Sequence, residues 1–70
     1  MTKLAATFTD AEYQAIRLAA MQGRLSASFK RVGDQVVFHA TEPKLFCRQL
    51  ENVVDFGATS ATEVFGLDHA

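Results

Sequence analysis

Apolar and polar residues alternate along this chain with two different periods, and the places where the period changes divide it into elements. From Leu25 to Thr41 the period is two. Leu25, Ala27 and Phe29 alternate with Ser26, Ser28 and Lys30, and Val36, Phe38 and Ala40 are separated by Val37 and His39. Alternation of this kind marks half-buried strands. The Gly33-Asp34 pair between the two runs is a two-residue hairpin loop. It sets a register in which Phe29 opposes Phe38 and Ala27 opposes Ala40. A slip of one residue would turn every apolar group to the wrong face, so loop and pattern specify the same pairing. The hairpin is expected over about residues 24–32 and 35–41.

Either side of the hairpin the period lengthens to that of a helix. In FTDAEY, Thr9 and Glu12 have the spacing of a capping box, with Phe8 and Tyr13 at the positions of a hydrophobic staple. A helix therefore runs from about residue 10 to 22, with Gly23 as its left-handed stop. Tyr13, Ile16 and Ala20 form one stripe on it, and Ala11, Ala15 and Leu18 form another. Pro43 opens a second helix, expected over about 43–56 with Gly57 as its end. Its apolar residues Leu45, Phe46, Cys47, Leu50, Val53, Val54 and Phe56 would cover an arc of roughly 200° at 3.6 residues per turn, twice a normal core-facing stripe. Ser60 and Glu63 repeat the capping spacing and start a short helix over about 61–66, which returns Val64, Phe65 and Leu67 to the domain.

The expected fold is thus a small α+β domain spanning residues 1–70, in the order helix, β-hairpin, helix (αββα), with a short C-terminal helical turn. A two-stranded hairpin is barely stable alone and exposes unpaired edges. Two ways of completing the sheet are available: a third strand from residues 3–8, where Leu4, Ala6 and Phe8 alternate, or the hairpin of a second chain in a homodimer.

Size sharpens the question of association. A domain of 70 residues buries only about 60% of its unfolded surface, and its single cysteine excludes an internal disulfide. Stability must come from packing or from a partner. With 49% apolar and 21% charged residues, disorder throughout is not expected. The segment MTKLAATFTD lacks the apolar centre of a signal peptide, and no stretch approaches the roughly 18 apolar residues of a membrane span, so a cytoplasmic protein without membrane contact is expected.

The net charge of −1 excludes the broad basic surface of a general nucleic-acid binder. It conceals an uneven distribution. Residues 1–48 hold seven bases and four acids, a net +3, whereas residues 49–70 hold four acids and no base, a net −4.

Candidate chemistry is sparse. Cys47 and His39 are the only nucleophile and base worth pairing, and they fall on different faces if the hairpin register holds. A metal site from His39, Cys47 and His69 lacks any paired ligand spacing. Glu51 and Asp55 form an i, i+4 pair of the kind that is ordinarily solvated. The four glycines are isolated, so no phosphate loop is present. No enzymatic activity, cofactor or metal is expected.

Binding is the better supported class. The polar face of the hairpin carries Ser26, Ser28, Lys30 and His39, with Val32 and Val37 as an apolar centre inside a polar rim. The contact residues expected from this pattern are Lys30, Arg31, Val37 and His39, flanked by Lys44 and Arg48. They suit a non-enzymatic inhibitor or adaptor that binds a larger protein, by analogy with the very short proteins that bacteriophages and mobile elements encode. The alternative is a nucleic-acid-binding regulator that uses the same basic residues on phosphates. The αββα order lacks one strand of a double-stranded-RNA-binding domain, and its second helix lacks the lysine-rich start of that family.

Overall fold

A computed structural model describes residues 1–67. The chain runs through β1 (Thr2–Thr7), α1 (Asp10–Met21), β2 (Ala27–Val32), β3 (Gln35–Ala40), α2 (Pro43–Glu51) and α3 (Ala61–Val64). The helix, hairpin, helix and terminal turn expected from the pattern are all present. Ahead of them, residues 2–7 supply the third strand from within the chain.

The three strands form one antiparallel sheet in the order β1-β3-β2. Phe29 opposes Phe38 and Ala27 opposes Ala40, the register that the Gly33-Asp34 loop dictates. Gly33 is the one loop residue with positive φ, at 64°, the pattern of a type II′ hairpin turn. On the other side of β3, Leu4 opposes Phe38 and Ala6 opposes Val36. β1 therefore occupies the outer edge of β3 and makes β3 the central strand. The backbone N–H of Phe8 donates to the Asp34 carbonyl at 3.2 Å and ties the end of β1 to the hairpin turn.

Period-two alternation places Leu4, Val36, Phe38 and Ala40 on one face, all buried, and both main helices cover that face. Phe38 is the hub. Its ring lies 4.7 Å from Phe46 of α2 and 6.0 Å from both Phe8 and Phe65. Ile16 and Ala19 are the buried residues of α1, and Tyr13 of the same helix meets Phe29 edge-on at 6.1 Å. Of the second α1 stripe, Ala11 and Leu18 are exposed, Leu18 by 56%, and Ala15 is half-buried.

The ends of α1 follow local sequence. Thr9 Oγ1 accepts the Glu12 N–H at 3.1 Å and Glu12 Oε1 accepts the Thr9 N–H at 2.8 Å, a complete capping box. At the other end Gly23, with φ of 74°, donates to the Ala20 carbonyl and Arg24 donates to that of Ala19, which closes a Schellman motif. Phe8 and Tyr13, spaced for a staple, take separate ring partners: Phe8 turns to Phe38 and Phe56, and Tyr13 to Phe29.

The second helix is shorter than its apolar pattern predicts, ending at Glu51 instead of near residue 56. Asn52 Nδ2 donates to the Arg48 carbonyl, and the β-branched pair Val53-Val54 follows, both of which oppose another helical turn. The N–H groups of Val53 and Val54 both turn back to the Leu50 carbonyl. Val53, Val54 and Phe56 thus leave the helical arc, and the expected 200° apolar face does not form. Val54 is buried and Phe56 returns to Phe8, with ring centroids 6.3 Å apart.

The tail completes the cover. Glu51 Oε2 accepts the Ala61 N–H at 2.8 Å, and Ser60 Oγ accepts that of Glu63 at 3.2 Å. These bonds set α3 against α2, bury Ala61 fully and seat Phe65 on Phe38 and Phe46. The separation of Glu51 and Asp55 is not an i, i+4 helical pair: Glu51 caps α3, whereas Asp55 Oδ1 accepts the Gly57 N–H in the preceding turn.

Candidate functional site

Because both main helices pack on one side of the sheet, the other side is open among the described residues. Its nine side chains form a grid that the register specifies row by row: Lys3–His39–Ser28, Ala5–Val37–Lys30 and Thr7–Gln35–Val32, each read from β1 through β3 to β2. Val37 at the centre is half-buried by its neighbours and the other eight are exposed. Ala5, Val37 and Val32 make a small apolar spot. Lys3, Lys30, His39, Ser28, Gln35 and Thr7 surround it. The grid contains two lysines and no carboxylate.

The central strand aims Val37 and His39 outward because its neighbours Val36, Phe38 and Ala40 are committed to the core. Lys30 stands directly beside Val37 across the β2–β3 ladder. These three expected contact residues are therefore brought together. Sequence reasoning missed Lys3, Ala5 and Thr7, which complete the face from β1. The signal was the alternation of Leu4, Ala6 and Phe8, whose outward-facing counterparts are those three residues.

Arg31 does not belong to this face. It sits opposite Val36 in the ladder, on the side toward the helices. Its guanidinium lies 5.0 Å over the Tyr13 ring and pairs with Asp10 in the first turn of α1, while its Nε donates to the Gly33 carbonyl at 3.2 Å. With three local partners, Arg31 clamps β2 to α1. The reason is strand parity: residues adjacent in sequence point to opposite faces.

Ser26 is also displaced from the face that its alternation suggests. It precedes β2, where its N–H and hydroxyl are both held by Gln49 of α2. Lys44 and Arg48 lie on α2, beneath the sheet, and line a groove between α2 and α3. The open face that carries Lys30 and His39 is on the other side of the sheet from α2. The basic residues that looked like a single cluster occupy three separate places.

His39 is exposed on the open face and Cys47 is buried on the helix side, so the sheet separates them. Among the described residues no group of three His, Cys, Asp or Glu side chains is placed to hold a metal ion; His69 lies outside those residues. No described helix is long and apolar enough to cross a membrane.

Fold and surface together define a small α+β domain with one sheet face packed and one presented. Comparisons with protein-family models, curated proteins and solved structures return no match for this chain.

Proposed function

We propose that this protein is a non-catalytic binding module that occupies, with its open sheet face, an acidic patch on a larger protein and so inhibits or recruits that protein. The observation that carries this reading is the grid itself: an apolar spot of Ala5, Val37 and Val32 inside a polar rim with two lysines and no carboxylate. An apolar centre with a polar rim is the anatomy of a protein contact. The charge of that rim favours a partner bearing carboxylates around an apolar group. The placing of Arg31, Lys44 and Arg48 away from this face leaves Lys3 and Lys30 as its basic residues, which supports a protein partner over a phosphate backbone for the face.

The test is retention of a partner by tagged protein, in parallel with Val37→Asp, Lys30→Glu and the control Lys44→Glu, each with and without nuclease. A partner retained by the parent chain and the control, lost with both face variants and indifferent to nuclease supports the reading. Equal retention by Val37→Asp and the parent would refute it. Loss on nuclease treatment, with affinity falling steeply with salt, would instead indicate phosphate contacts. Light scattering at micromolar concentration tests self-association as the occupant of the same face. A mass that stays at 7.7 kDa excludes a second copy.

A further inference from the structure

The groove between α2 and α3 gathers two basic and two hydroxyl side chains. It is an open concavity of about 390 Å³ lined by Lys44, Cys47, Arg48, Glu51, Ser60 and Thr62. That volume is at the lower end of the roughly 300–1,000 Å³ typical of small-molecule sites. Lys44 and Arg48 are four residues apart on α2 and therefore project from the same side of the helix. The ion pair found among the described residues, Arg31 with Asp10, lies elsewhere. Neither Lys44 nor Arg48 has a side-chain hydrogen bond or ion pair among the described residues, although both border a concave surface.

The facing wall supplies hydroxyls. Ser60 Oγ and Thr62 Oγ1 lie 2.9 Å apart, and Ser60 Oγ also accepts the Glu63 N–H. With Ser60 donating its proton to Thr62, the Thr62 hydroxyl proton is available to point into the groove. Glu51 is the groove's one carboxylate, and one of its oxygens is already bound to the Ala61 N–H. Two cations and a hydroxyl donor outweigh that single charge.

We propose that this groove binds a tetrahedral dianion, a phosphate group carried either as free phosphate or as a phosphomonoester, through Lys44, Arg48 and Thr62. Arg48 offers a planar fork of N–H donors to two phosphate oxygens, Lys44 a mobile point charge and Thr62 a neutral donor from the opposite wall. The site is independent of the open sheet face, on the other side of the molecule.

The experiment is a titration of the ¹⁵N-labelled chain with sodium phosphate, and separately with phosphoserine, at constant ionic strength against sodium chloride. The expected result is saturable amide shifts confined to residues 44–48 and 60–63. The same titration of Lys44→Gln and Arg48→Gln should show affinity falling roughly tenfold for each charge-assisted contact removed. Thr62→Val should weaken binding while the amide spectrum elsewhere stays unchanged. Saturation by phosphoserine alone assigns a phosphomonoester, and saturation by both ligands admits free phosphate. Equal shifts with chloride, or undiminished affinity in the Lys44→Gln/Arg48→Gln double variant, would overturn the proposal.

Discussion

Gln49 grips Ser26 with both ends of its amide: Oε1 accepts the Ser26 N–H at 2.8 Å, and Nε2 donates to Ser26 Oγ at 3.0 Å. The two residues are 23 positions apart, and this pair joins the start of the hairpin to the last turn of α2. A neutral hydrogen bond contributes about 0.5–1.5 kcal/mol net, less where water can replace it. Gln49→Ala should therefore destabilise the fold by about 1 kcal/mol, a fall of about 4–8 °C in Tm for a domain of this size. Gln49→Glu retains an acceptor for the Ser26 N–H, and the Ser26 hydroxyl can rotate to donate, so this variant should lose less. Thermal unfolding followed by circular dichroism ranks the two. Equal losses would show that the acceptor half of the grip contributes nothing.

Arg31 is the second long-range tie. Its side chain is 36% exposed, and that of Asp10 opposite is 82% exposed, so the ion pair itself is screened and contributes less than about 1 kcal/mol. The contact over Tyr13 adds about 0.5–1 kcal/mol at such a site. Arg31→Ala should cost about 1–1.5 kcal/mol in denaturant unfolding, and Asp10→Ala less than half of that. Lys30→Ala, one position away on the open face, should leave stability within about 0.5 kcal/mol of the parent. A Lys30→Ala loss as large as that of Arg31→Ala would contradict the assignment of the two side chains to opposite faces.

Phe65, Leu67 and the buried Ala61 hold the tail by packing, and Glu51 holds it by a hydrogen bond. Phe65 meets Phe38 and Phe46, and Glu51 holds the N–H of Ala61. Removing a fully buried Phe costs about 3–5 kcal/mol, and Phe65 is half-buried, so Phe65→Ala should cost about 2–3 kcal/mol. Glu51→Ala should cost less but loosen α3 locally. Cys47 is 1% exposed and lines the groove that α3 helps to close. Its modification by a thiol reagent should accelerate in Glu51→Ala under conditions where the domain stays folded. An unchanged rate would mean that α3 remains docked without the Glu51 bond.

Gly33 carries the turn on which the register depends. Its φ of 64° is unfavourable for a residue with a Cβ, yet nothing lies within 4 Å of where that Cβ would be. The cost of substitution is then backbone strain alone, roughly 1 kcal/mol or somewhat more for Gly33→Ala. Gly33→Asn should recover part of it, because Asn is better tolerated than Ala at the positive-φ positions of primed hairpin turns. Chemical denaturation of the two variants measures the difference. If Gly33→Asn were no better than Gly33→Ala, a lost contact and not conformation would be responsible.

Much of this architecture was legible in the sequence because it is local. The Thr9–Glu12 capping box, the Gly23 stop, the Gly33-Asp34 loop and the alternation about Phe38 each act over a few residues, and each appears where its spacing predicts. The outward direction of Lys30, Val37 and His39 follows from the same parity. What these signals do not contain is which distant segments meet. The apolar alternation of residues 4–8 is equally compatible with pairing inside the chain or with another chain, and only the approach of β1 to β3 decides it. Val53, Val54 and Phe56 fit a helical arc by spacing, but Asn52 and the β-branched pair end α2 and redirect them. Arg31, Lys44 and Arg48 share a charge, yet strand parity turns Arg31 to Tyr13 and Asp10 of α1, whereas the packing of α2 places Lys44 and Arg48 beside α3. The sequence by itself determined the elements and their inner and outer faces, since those depend on backbone period and capping. Tertiary structure alone decided the third strand, the contribution of Lys3, Ala5 and Thr7 to the exposed face and the placing of Lys44 and Arg48 beside α3, since those depend on long-range contacts that local spacing does not encode.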